Sequence, residues 1–99
     1  MIFEPRIAYK PFEYPDILQF TQMMNHTFWE HTEVNFDSDI QEFHTILNHR
    51  EQHAVVTCLK AISQIEVAVK TYWGKLFDYL PKPEFNVLGA TFAESEARH

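Results

Sequence analysis

The sequence predicts an all-α helical bundle, and three observations carry that expectation. Val55, Leu59, Ile62, Glu66, Val69, Trp73, Leu76 and Leu80 recur at alternating steps of four and three, which places them on one face of a long helix. A second stripe, Phe85, Leu88, Phe92, Glu96 and His99, follows after a Pro-Lys-Pro turn. Only 2 of 99 residues are glycine, and the long periodic runs are uninterrupted, which argues against a sandwich of short strands.

The segment before the first helix, residues 1–14, carries Pro5 and Pro11 and is followed at once by Pro15. Proline removes a backbone donor and restricts its predecessor, so this stretch reads as an extended arm. Its aromatics Phe3, Tyr9, Phe12 and Tyr14 give the arm something to pack with. Pro15 and Asp16 suit a helix start, and Ile17, Phe20 and Met24 keep a helical period, so a first helix is expected over 15–28. Residues 30–39 break the pattern, with Val34 and Phe36 as possible inward anchors. Asp37, Ser38 and Asp39 are capping types ahead of a short amphipathic helix over 39–47.

Asn48 and Glu51 have the spacing of a capping box and mark the start of the long helix, expected over 49–80 and about 45 Å in length. Pro83 can occupy the first turn of the last helix, over 83–99, and Glu84 suits its positive end. Gly89 inside that helix costs propensity and marks a close helix contact. No C-terminal cap signal follows His99, and no internal repeat is evident. All of this makes one partial domain.

The formal net charge of -6 offers no basic footprint for nucleic acid. A single cysteine excludes an internal disulfide scaffold, and Cys58, just off the central stripe, reads as a small buried thiol. The sequence has neither a membrane-length apolar run nor the charge-then-apolar layout of a signal peptide, so a cytoplasmic location is expected.

The chemistry lies in the acidic members of the stripes. Glu66 sits mid-stripe, where an ionised carboxylate needs a partner, a metal or a shifted pKa; pairing with Lys70 one turn on is the bland reading. Glu96 and His99 are three apart and therefore neighbours on one face. A short turn makes the two helices antiparallel, so both carboxylates enter one core, where they repel unless protonated or bridged by a cation. One Glu on one helix and Glu-x-x-His on the next make half of a di-metal carboxylate site. Oxygen ligands with one imidazole suit iron or manganese, with zinc also possible. Glu94 points away from Glu96 and reads as solvent-facing. His49 and His53 fall off the stripe, and His26, His31 and His44 lack any carboxylate arrangement. Trp29 reads as packing at a helix end and Trp73 as part of the core stripe.

From about Phe28 to His99 the chain resembles the N-terminal part of the radical-generating small subunit of class I ribonucleotide reductase, a ferritin-like di-metal family. The resemblance rests on Phe28-Trp29 followed by Glu33-Val34, the long helix with Glu66, and the segment Phe92-Ala93-Glu94-Ser95-Glu96-Ala97-Arg98-His99. It implies that Glu66 is the first carboxylate ligand, Glu96 the bridging ligand and His99 the first histidine ligand. It also implies that Trp29 is the catalytic relay on the radical-transfer route. The implied cofactor is a di-iron, iron/manganese or di-manganese centre; the implied partners are a large catalytic subunit and a second small subunit. The separation of Glu66 and Glu96 is slightly shorter than in many members, which points to an atypical subgroup. The chain lacks the second half of the bundle with its Glu and second Glu-x-x-His, the position of the radical tyrosine beyond His99, and the docking tail. Residues 1–99 alone are therefore expected to be inactive. Two other readings remain open: a ferritin-like oxidase whose site is completed by a second short chain, and a metal-free structural helical module.

Overall fold

The computed structural model describes residues 1–99 and contains five α-helices and no strand. In order these are α1 (Ile17–His26), α2 (Asp37–Thr45), α3 (His49–Gly74), α4 (Leu76–Tyr79) and α5 (Pro83–Arg98), with a single 3-10 turn at His31–Glu33 between α1 and α2. The all-α class expected from the two stripes is what the chain adopts.

Local chemistry explains the helix boundaries. The Asn48 side chain accepts from the Glu51 amide at 3.0 Å and the Glu51 carboxylate accepts from the Asn48 amide at 2.9 Å, so the capping box is closed in both directions. Pro83 opens α5, where its missing N–H costs nothing. In place of the Asp37 to Asp39 cap expected for α2, the Asn35 side chain accepts from the Asp37 amide at 2.8 Å, and the helix begins two residues early. The first helix is also shorter than 15–28, which leaves Phe28 and Trp29 in the connection after it.

The long helix does not run unbroken to Leu80. It stops at Gly74, Lys75 takes φ −103° and ψ 8°, and α4 makes a further short helix to Tyr79. That conformation lies outside the α region proper and turns the chain without altering the three-four spacing of Trp73, Leu76 and Leu80.

The core is small and gathers where α1, α4 and α5 meet the end of α3. Leu76, Phe85 and Leu88 are buried, with Ile2, Tyr14, Ile17, Trp73, Leu80 and Phe92 packed around them. Trp73 and Phe92 stack at 4.4 Å, and Gly89 lies against the same end of α3. A Cβ added at Gly89 would meet the Trp73 carbonyl oxygen at 2.5 Å and Leu76 Cβ at 2.9 Å. Only hydrogen lets the two helices approach this closely.

The first two-thirds of α3 has no such cover. No residue of α3 is buried, and Val55, Leu59 and Ile62 are exposed although they continue the core stripe. Glu66 and Cys58 are exposed as well, contrary to the burial their positions predict. The reason is geometric: α5 is 16 residues long and α3 is 26, so α5 reaches only part of the facing surface. The radius of gyration is 18.8 Å, against roughly 13 Å for a compact chain of this length.

The N-terminal arm is tied to the start of α5 by a buried ionic cluster. Glu84 is fully buried, pairs with Arg6, and accepts the backbone amides of Glu13 at 3.0 Å and Tyr14 at 2.9 Å. Lys82, also buried, pairs with Glu13 at 2.9 Å, and Glu13 reaches Arg6 at 3.2 Å. The sequence reading gave Glu84 only a dipole role at the helix end. Burial pushes the Glu84 carboxyl up, but the Arg6 guanidinium and the amides of Glu84, Tyr14 and Glu13 outweigh it and hold it at about 2.

A depressed carboxylate stabilises the fold fully above its ordinary value of 4.5, and that contribution is lost as pH falls toward about 2. Glu84→Gln is therefore expected to destabilise the chain by roughly 3 kcal/mol near neutral pH, because Arg6 loses its buried counter-charge. The loss should shrink between pH 4.5 and 2. Urea titrations across that window check it, and a pH-independent difference would contradict the assignment.

Candidate metal-site half and tryptophan contact

The antiparallel approach of α3 and α5 sets the site. Two turns toward the C-terminus of α5 from Gly89, and two turns back along α3 from Trp73, the same pair of faces presents Glu96 and Glu66. The Glu66 carboxyl is close enough to Glu96 to act on it electrostatically. The neighbouring Glu66 carboxyl, followed by burial, raises Glu96 above the ordinary carboxylate range. Glu96 is half-buried and Glu66 exposed, so the pair sits at the edge of the covered part of α3. Glu66 thus faces Glu96 rather than taking Lys70 as its partner.

His99 caps α5 at the end beyond Glu96. Its imidazole stacks on the Trp29 indole, with ring centres 3.8 Å apart and planes inclined by 13°. No group of three His, Cys, Asp or Glu side chains converges closely enough to hold a metal ion. The geometry brings Glu66 to Glu96 and His99 to Trp29, two adjoining pairs along one end of α5. A donor set of two facing carboxyls fits a hard cation, whose charge would relieve their mutual repulsion.

Arg98 completes this end of the molecule, and sequence reasoning gave it no role. Its Nη1 donates to the Trp29 carbonyl oxygen at 2.8 Å, its guanidinium lies 3.8 Å above the Phe28 ring, and its Nε donates to Glu94 at 2.6 Å. Glu94 is exposed, as expected, but serves as the partner of Arg98. The four-residue spacing of Glu94 and Arg98 was a readable signal. The contact with residues 28 and 29, about seventy positions away, leaves no trace in local spacing.

The largest concavity, about 610 Å³, lies elsewhere, between α2 and α3, where Phe36, Ile40, Phe43, Leu47, Val55 and Leu59 line it. None of Glu66, Glu96 and His99 borders it. Asp39, Glu42 and His44 also line it, but no three such side chains converge there to hold a metal ion.

Comparison with known proteins bears on this arrangement. The sequence profile of the family described as "Ribonucleotide reductase, small chain" matches residues 6–99. The chain belongs to that family. A relative from Invertebrate iridescent virus 3, described as a probable ribonucleoside-diphosphate reductase small subunit, is 28% identical over 94 residues. The alignment covers 95% of this chain and 25% of the relative, so the chain spans about a quarter of the relative's length. No helix is long and apolar enough to cross a membrane.

Proposed function

We propose that this chain is the N-terminal part of a ribonucleoside-diphosphate reductase small subunit, in which Glu66, Glu96 and His99 form half of a di-metal centre and Trp29 carries oxidising equivalents away from it. The observation that supports this most directly is the meeting of Glu66 and Glu96 across α3 and α5, with the Trp29–His99 stack at the next turn. The two carboxylates would bind iron or manganese; His99 would add an imidazole, and its ring face would keep Trp29 in contact with the site. When bound, the di-metal group supplies the one-electron oxidant. Glu66 and Glu96 would hold the cation through their carboxylate oxygens, and the Trp29 indole, stacked on His99, would be the side chain through which charge leaves.

Three residues under-coordinate two metal ions, so the proposal includes a further Glu and Glu-x-x-His contributed by the rest of a longer chain. The proposed partners are the large catalytic subunit and a second small subunit, in the cytoplasm. The exposed stripe Val55, Leu59 and Ile62 supports the same reading, since a face built for burial needs cover.

The test is ribonucleoside-diphosphate reduction by the full-length protein, loaded with iron or manganese and combined with its large subunit. Turnover is expected, and residues 1–99 alone should give none. A fully loaded, subunit-bound preparation without turnover would contradict the proposal. Turnover, or stoichiometric metal uptake, by homo-oligomers of the 99-residue chain would favour the oxidase reading.

A further inference from the structure

We infer that Arg98 is a positioning residue that holds Trp29 face to face with His99; its consequence for turnover rests on the relay reading above. Trp29 lies between α1 and the 3-10 turn, outside any helix, so its carbonyl oxygen has no place in a helical ladder. Arg98 Nη1 supplies the donor at 2.8 Å. The same guanidinium covers the Phe28 ring at 3.8 Å, so both residues of the Phe28-Trp29 pair are engaged from one side chain. Glu94 holds the remaining edge through Nε at 2.6 Å, which fixes the guanidinium plane.

The Arg98 side chain is 17% exposed, so these contacts form partly out of water, where charge-assisted bonds are stronger. Arg98 and His99 are consecutive in the chain. The residue that grips the Trp29 backbone is therefore bonded directly to the residue whose ring meets the indole. A rotation of the end of α5 moves both together, which keeps the 3.8 Å stack intact. Lysine cannot reproduce the arrangement: one ammonium can bond the carbonyl but cannot lie flat on Phe28 while reaching Glu94.

The experiment places 5-fluorotryptophan at position 29 of the full-length, metal-free protein and reads its fluorine resonance. His99→Ala defines the shift of an indole without its stacked imidazole. Arg98→Met is expected to move the Trp29 signal most of the way to that position. The same probe at Trp73, stacked on Phe92 at 4.4 Å, should stay where it is. Arg98→Lys should move the Trp29 signal in the same direction by less. A wild-type Trp29 signal in Arg98→Met overturns the inference. Should Arg98→Met displace the Trp73 probe too, Arg98→Lys decides, and an unmoved Trp29 signal there overturns it equally.

With metal and large subunit added, Arg98→Met should lower turnover by roughly 10–100-fold at unchanged metal content, the scale of a displacement of about 1 Å in a reacting array. If the Trp29 signal moves while turnover holds, the positioning role stands and the relay reading of Trp29 falls.

Discussion

Trp29→Phe is expected to reduce nucleotide reduction by the full-length, large-subunit-bound protein to background while leaving its fold and metal loading intact. The structure makes this substitution unusually clean. Arg98 grips the backbone carbonyl of residue 29 rather than its side chain, so the connection stays anchored when the indole is removed. A phenyl ring keeps much of the apolar volume and can still stack on His99. What disappears is the indole N–H and its redox chemistry. Packing cost is also small, since Trp29 is 40% exposed and lies outside the core of Leu76, Phe85 and Leu88. Variant protein with normal metal content and normal large-subunit binding that turns over at the parent rate would remove the relay from the proposal.

Glu66→Gln is the second substitution with a large expected effect. Glutamine keeps the shape, withdraws one ligand charge and leaves an amide beside Glu96. Metal affinity of the full-length protein should fall at least ~10-fold, the scale seen when even an outer partner of a metal ligand is removed. Stability without metal should hold or improve, because Glu66 is exposed and its carboxyl repels Glu96. Equilibrium metal titration and thermal unfolding of the metal-free protein measure the two parts. Equal metal affinity in parent and variant would show that Glu66 is no ligand. A large loss of metal-free stability would assign it a structural role.

The helices were legible because their signals are local. The Asn48 and Glu51 box, Pro83 at the first turn of α5 and the three-four stripes all act within a few residues, and each does in the fold what its chemistry dictates. Gly89 was readable for the same reason: a glycine inside a helix needs a cause, and the cause is the Trp73 carbonyl. The break at Lys75 escaped because periodicity follows spacing, and the spacing passes through the break unchanged.

Burial was less legible than helicity. An amphipathic stripe shows that a face seeks cover without naming what supplies it, which is why Val55, Leu59, Ile62 and Cys58 stand exposed where burial was expected. Glu84 and Arg6 are 78 residues apart, and nothing in either neighbourhood announces the other. At the candidate site the facing of Glu66 and Glu96 followed from stripe registration and one tight turn. The grip of Arg98 on Trp29 depends on where the α1–α2 connection crosses α5, which is a property of the assembled fold.

The central claim is that Glu66, Glu96 and His99 are ligands of one two-metal site. Anomalous diffraction from crystals of the full-length protein, soaked in turn with iron and manganese and measured at each absorption edge, tests it most directly. The account predicts two ions between α3 and α5, with Glu66, Glu96 and His99 at coordination distance and the remaining ligands supplied from outside residues 1–99. Fully loaded crystals with no ion there, or with ions bound away from the Glu66–Glu96 pair, would contradict it.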